Sequence, residues 1–312
     1  MERRRVIGSV IWIFCVLCLL PVGELWAQEN PNPTYVGHEQ CQLCHPDQLG
    51  KFAETRMGKV FLRSPRNDLE RWACENCHGP GSAHVQNPVD PTTILRFGKS
   101  SSAPIAEQNK ACLQCHERGA QTHWLGSAHE AQGLACTACH TVMGPTGDHS
   151  QLVSEDEKTP FYAKRADSTV CLQCHPQQRA QMLRSSHMPL WEGKMTCTDC
   201  HNPHGSVTPA LLIENSINEN CYKCHADKRG PFLWEHAPVL ENCLNCHEAH
   251  GSVHDNMLTV KEPRLCQQCH IEIRHPSEPF SATSRFVFNR ACSNCHPQVH
   301  GSNHPSGVML QR

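Results

Sequence analysis

One apolar run dominates the N-terminus: Val6 to Leu20 follow Arg3, Arg4 and Arg5, and a polar Gln-Glu-Asn-Pro stretch begins directly after Ala27. This layout predicts a secretory signal over residues 1–27, with residues 28–312 as the mature domain. Leu25, three residues before the cut, leaves an uncleaved anchor as the alternative, although the run is short for a membrane span. No second segment of membrane length follows. Strand alternation is essentially missing, so short helices joined by irregular backbone are expected. Pro46, Pro176 and Pro297 suit the first turn of such helices. Residues 86–110 and 150–168, rich in Pro, Ser, Asp and Glu, read as surface loops.

Only 38% of the residues are hydrophobic and 6% aromatic, too few for an ordinary core in a chain of 312. What the chain has in excess is cysteine and histidine. Ten times it writes Cys-x-x-Cys-His. The first five motifs are Cys41-Cys44-His45, Cys74-Cys77-His78, Cys112-Cys115-His116, Cys136-Cys139-His140 and Cys171-Cys174-His175. The second five are Cys197-Cys200-His201, Cys221-Cys224-His225, Cys243-Cys246-His247, Cys266-Cys269-His270 and Cys292-Cys295-His296. Together they use all but Cys15 and Cys18 of the 22 cysteines, and those two lie in the leader.

This spacing ties a haem through two thioethers and ligates its iron through the histidine. Disulfide frameworks and zinc ribbons also use paired cysteines, but neither requires a histidine after every pair. Ten covalent haems c, each with one iron, are therefore expected, and their porphyrins would supply the missing apolar interior. The apoprotein should then be largely unfolded, because ligation energy is folding energy in such chains. Covalent haem attachment also agrees with export from the cytoplasm.

The motifs fall into five pairs, an internal repeat whose units start near residues 41, 112, 171, 221 and 266. Between the two motifs of each unit stands a second ligand candidate: Met57, His129, His187, His236 and His275. After the second motif comes another: His84, His204, His250 and His300, with His149 filling that place in the second unit, where Met143 takes the nearer slot. Distal ligands are thus expected at His84, His129, His149, His187, His204, His236, His250, His275 and His300, and the tenth at Met57 or His38. Methionine in place of histidine would raise the potential of its haem. His123, His254 and His304 are expected to be loop residues. Trp72, Trp124, Trp191 and Trp234 lie near the motifs and would wall the haems.

The net charge of −2 understates the loaded protein, since ten haems bring on the order of twenty propionates. Nucleic-acid binding is not suggested.

The chain resembles the MtrA/DmsE family, the decahaem c-type cytochromes of outer-membrane electron conduits. The resemblance covers nearly all of residues 35–312. It is carried by Gly230-Pro231-Phe232-Leu233-Trp234-Glu235-His236, the His-Gly-Ser repeats at His204, His250 and His300, Leu265-Cys266-Gln267-Gln268-Cys269-His270, and the ending from His296 to Pro305. It implies a multihaem cytochrome c fold: elongated, with short α-helices and irregular loops wrapped around a haem chain and almost no β structure. It further implies a periplasmic electron carrier, not an enzyme, associated with the outer membrane. That carrier would take electrons from a periplasmic or inner-membrane donor through a β-barrel porin to an extracellular multihaem cytochrome or reductase. Met57 and Met143 depart from the pattern in slots where histidine is expected. The alternatives are a soluble periplasmic shuttle, a cytochrome filament, and a reductase of nitrite, hydroxylamine or sulfur oxyanions. A reductase would require an iron with an open position, often marked by Cys-x-x-Cys-Lys, which does not occur here.

Overall fold

The computed structural model describes residues 32–98, 101–143, 168–271, 290–305 and 307–311. The expected leader, residues 1–27, and the expected ligands His149 and His275 lie outside these residues.

Every motif is one helical turn. In eight of them the histidine N–H donates to the carbonyl of the first cysteine at 2.9–3.1 Å, and Cys74–His78 and Cys112–His116 lie within α-helices. Residues spaced three and four apart share a helix face, so this turn presents both sulfurs and the imidazole to the same side. First motifs sit at helix ends, as in His38–Cys44 and Ile105–His116. Second motifs of the later units are isolated 3-10 turns, Cys136–Ala138, Cys197–Asp199, Cys243–Asn245 and Cys292–Asn294.

Pro46 and Pro176 open the helices Pro46–Glu54 and Pro176–Met182 as anticipated. Pro297 opens a turn instead, because the chain beyond it folds back so that Ser302 and Trp234 exchange backbone hydrogen bonds, both 2.9 Å. The expected loop over 86–110 ends early: Ile105–His116 is helical, carried by the helix-forming run Ala106 to Ala111 and partly sunk through the buried Gln108 and Asn109.

Regular β structure among the described residues is one antiparallel pair, Ser186–His187 against Gly251–Ser252, plus isolated bridges. This pair joins the third unit to the fourth, and the bridge between Trp234 and Ser302 joins the fourth to the fifth. The apolar core among these residues is small, a cluster of Phe52, Phe61 and Ala73 flanked by Met57, Val60 and Leu62. No helix among them is long and apolar enough to cross a membrane.

Candidate haem-binding sites

The cysteines interact in pairs that follow sequence order. Within each unit the first cysteines of the two motifs interact: Cys41 with Cys74, Cys112 with Cys136, Cys171 with Cys197, Cys221 with Cys243, and Cys266 with Cys292. Between units the second cysteines do so: Cys77 with Cys115, Cys139 with Cys174, Cys200 with Cys224, and Cys246 with Cys269. In the thiol form, hydrogen bonds from Cys74, Cys112 and Cys171 bring Cys41, Cys136 and Cys197 down to about 7, while the three donors are pushed up.

The imidazoles face one another across gaps of constant width. Ring centroids are separated by 6.3 Å for His45 and His84, 5.9 Å for His140 and His204, and 6.2 Å for His201 and His250. They are 6.2 Å apart for His236 and His270, 6.1 Å for His247 and His300, and 6.2 Å for His129 and His175. Five of these pairs have planes within 12–22° of parallel; His129 and His175 are turned by 65°. A metal held by a ring nitrogen on each side, at about 2.0–2.1 Å with the nitrogen roughly 1.1 Å from its ring centre, separates two centroids by roughly 6.3 Å. Direct stacking would bring the rings closer. The gaps fit an iron.

The second ring nitrogen is committed elsewhere, as a metal-binding histidine requires. Nδ1 of His78, His201, His247 and His296 pairs with the carbonyls of Leu95, Ala210, Asn256 and Met309 at 2.8, 2.7, 2.8 and 2.6 Å. Nδ1 of His129 and His236 pairs with Pro203 and Val299, each directly before a tail histidine. This leaves Nε2 for iron. Burial first, and neighbouring imidazoles after it, push His140 and His204 down from the usual histidine range, which favours the neutral, ligating form.

Glycine lets the tail histidines reach. Gly205 has φ +118, and a Cβ there would strike the His123 carbonyl; one on Gly251 would strike the Gln181 carbonyl. Each His-Gly-Ser tail therefore lies directly on the preceding unit. The turn is fixed by its serine, since Ser206, Ser252 and Ser302 accept from the backbone N–H of Thr208, His254 and His304 at 3.3, 3.0 and 3.0 Å.

Several further residues, with little signal in the sequence, position the motifs. Glu75, inside the second motif and 1% exposed, accepts from the backbone N–H groups of Val36, Gly37 and Gly81, fastening the N-terminal segment to the turn that carries His84. Asn109 accepts from Cys136 N–H and donates to Leu134; Asn218 accepts from Cys243 N–H and donates to Val239 and Leu240. Each clamps the second motif of its unit to the first. The one available signal was an asparagine three residues before Cys112 and again before Cys221.

Other expected ligands are not brought into such pairs. The His187 ring bonds Met188 O through Nδ1, and its Nε2 is 3.8 Å from Glu192. His38 lies 3.7 Å from Glu39, Met57 packs beside Phe52 and Phe61, and Met143 is partly exposed. Of the tryptophans, Trp124 and Trp234 bury indole N–H groups that have no partner among the described residues, so a bound haem's carboxylates would find donors there. Trp191 bonds Met182 O, and Trp72 stacks on Tyr35.

These turns, gaps and committed nitrogens define a multihaem c-type cytochrome. The family described as "Doubled CXXCH motif" matches residues 187–230 and 236–275, and "Cytochrome c-type protein NrfB-like" matches 74–164. Multiheme cytochrome MtrA of Shewanella baltica is 40% identical over 300 residues, covering 93% of this chain and 85% of that protein. High-molecular-weight cytochrome c of Nitratidesulfovibrio vulgaris is 25% identical over 73% of this chain but only 32% of its own length. Cytochrome c-type protein NrfH of Wolinella succinogenes is 24% identical over 36% of the chain and 77% of its own length. The chain belongs to the MtrA family of multihaem cytochromes, electron carriers whose haems c are covalently attached.

Proposed function

We propose that ten haems, one per motif, form a single conducting line from a periplasmic donor, through an outer-membrane porin, to an extracellular cytochrome or reductase. The observation that carries this reading is the series of imidazole pairs from the first unit to the fifth, His45 with His84 through His236 with His270, each held 5.9–6.3 Å apart with room for an iron. The haems supply reversible one-electron chemistry at iron; the chain's own residues space, ligate and insulate them. A bis-histidine iron keeps both axial positions closed, so it passes electrons without binding substrate.

Ligation follows an interleaved register. Tail histidines serve the second motif of the preceding unit, as His204, His250 and His300 face His140, His201 and His247. Histidines between motifs serve the first motif of the following unit, as His129 and His236 face His175 and His270. By the same rule His187 caps His225 and His149 caps His78. The ends close on themselves, His84 on His45 and His275 on His296. Residues 1–27 direct export, placing the mature chain in the periplasm.

Purification from outer membranes in mild detergent tests the conduit. A β-barrel companion should copurify, and liposomes holding the complex should reduce an enclosed dye from outside. A chain found only in the soluble periplasmic fraction would contradict the porin partnership.

A further inference from the structure

The interleaved register leaves one motif histidine, His116, without a partner, and, with His149 standing in for the Met143 slot, one between-motif position that lacks a histidine, Met57. We infer that the Met57 thioether is the second axial ligand of the iron bound by His116, making that haem a histidine–methionine centre within an otherwise bis-histidine line. This inference rests on the haem reading above.

Local structure places Met57 in the ligand slot. Thr55 caps the helix Arg56–Arg63 with φ −72 and ψ 162, its side chain accepting from Gly58 N–H at 2.9 Å. Ser127 caps the helix Ala128–Ala131 with φ −69 and ψ 160, accepting from Glu130 N–H at 3.2 Å. Met57 and His129 are each the second residue of these matching helix starts. His129 faces the first motif histidine of the next unit, and His236 does the same. The same step from Met57 leads to His116.

The two units are also in contact there. Gln114, inside the third motif, donates to Asn76 O of the second at 2.9 Å, and Arg66, just beyond the Met57 helix, lies within electrostatic reach of Cys115. A Cβ on Gly58 would strike the Phe52 carbonyl, so this helix is seated tightly beside the apolar cluster. Apolar surroundings suit a neutral thioether.

His38, the competing ligand, occupies a different slot. It precedes Cys41 by three residues, as Asn109 precedes Cys112 and Asn218 precedes Cys221, and those asparagines clamp motifs together. Register therefore puts His38 in the clamp position.

Near-infrared magnetic circular dichroism of the ferric holoprotein is the test. One methionine–histidine signature per ten haems is expected. Met57→His should replace it with a tenth bis-histidine signature and lower that haem's potential. Removing the third attachment by Cys112→Ser with Cys115→Ser should abolish it, whereas Cys41→Ser with Cys44→Ser should cost one haem and leave it intact. Ten haems with only bis-histidine signatures, or a methionine signature that survives Met57→His, would overturn the inference while leaving the electron carrier standing. Loss of the signature with the first attachment, and not the third, would overturn the assignment to His116. Fewer than ten haems in the wild type would overturn both readings.

Discussion

His140 and His204 face each other at 5.9 Å with planes 15° apart, although two complete motifs, those ending at His175 and His201, stand between them in sequence. This facing pair therefore bridges the second and third units. The next units are bridged in the same way, where His201 faces His250 and where His247 faces His300.

Replacing His204 by alanine should open the iron attached at Cys136 and Cys139, not the one in its own unit. The reduced protein should then bind one carbon monoxide per chain. Removing the attachment at Cys136 and Cys139 should abolish that binding. If removing Cys197 and Cys200 abolishes it instead, the interleaved register is wrong.

Gly251 lies against the Gln181 carbonyl with no room for a side chain. Valine there must push two units apart, at a cost of at least about 2 kcal/mol. The His250 contact with His201 should weaken first, visible as a high-spin fraction that grows on mild warming. A Gly251→Val protein with an unchanged spectrum and thermal transition would refute this account of the tail.

Glu75 is a buried carboxylate satisfied by backbone N–H groups from two separate segments. Alanine should cost roughly 3 kcal/mol, because the hydrogen bonds are charge-assisted and leave buried donors unpaired. Urea titration should show the loss, with carbon monoxide binding at the His45 iron as His84 drifts. A shift under about 0.5 kcal/mol would show that the N-terminal segment is held some other way.

Removing the cofactor should remove the fold. Among the described residues the apolar cluster comprises Phe52, Phe61, Ala73 and a few flanking side chains, far less than a chain of this length needs. The chain made without haem attachment, with the motif cysteines replaced by serine, should show little helix by circular dichroism and no cooperative thermal transition. A cooperative, native-like transition would mean the polypeptide carries its own core.

Much of the chemistry was legible in the sequence, because a Cys-x-x-Cys-His turn is a local object: the spacing alone puts sulfurs and imidazole on one side. Short helices and sparse β structure were legible for a similar reason. Which distal histidine meets which motif was not. Offsets along the chain give position within a unit, whereas the pairing of His129 with His175 depends on how neighbouring units overlap. The carbonyls that orient His201 and His247 were equally hidden, since Ala210 and Asn256 offer them from left-handed turns, φ 56 and 55; asparagine favours that conformation but alanine gives no sign of it, and neither residue type names the imidazole it meets. Nothing in the sequence separates Glu75 from an ordinary charged residue, because its role lies in backbone N–H groups about 40 and 6 residues away.

The intact mass of the exported, purified chain tests the central claim most directly. A single species carrying ten covalent haems on the polypeptide without its leader is predicted. A dominant species with fewer haems, or with zinc at the cysteine pairs, would contradict it.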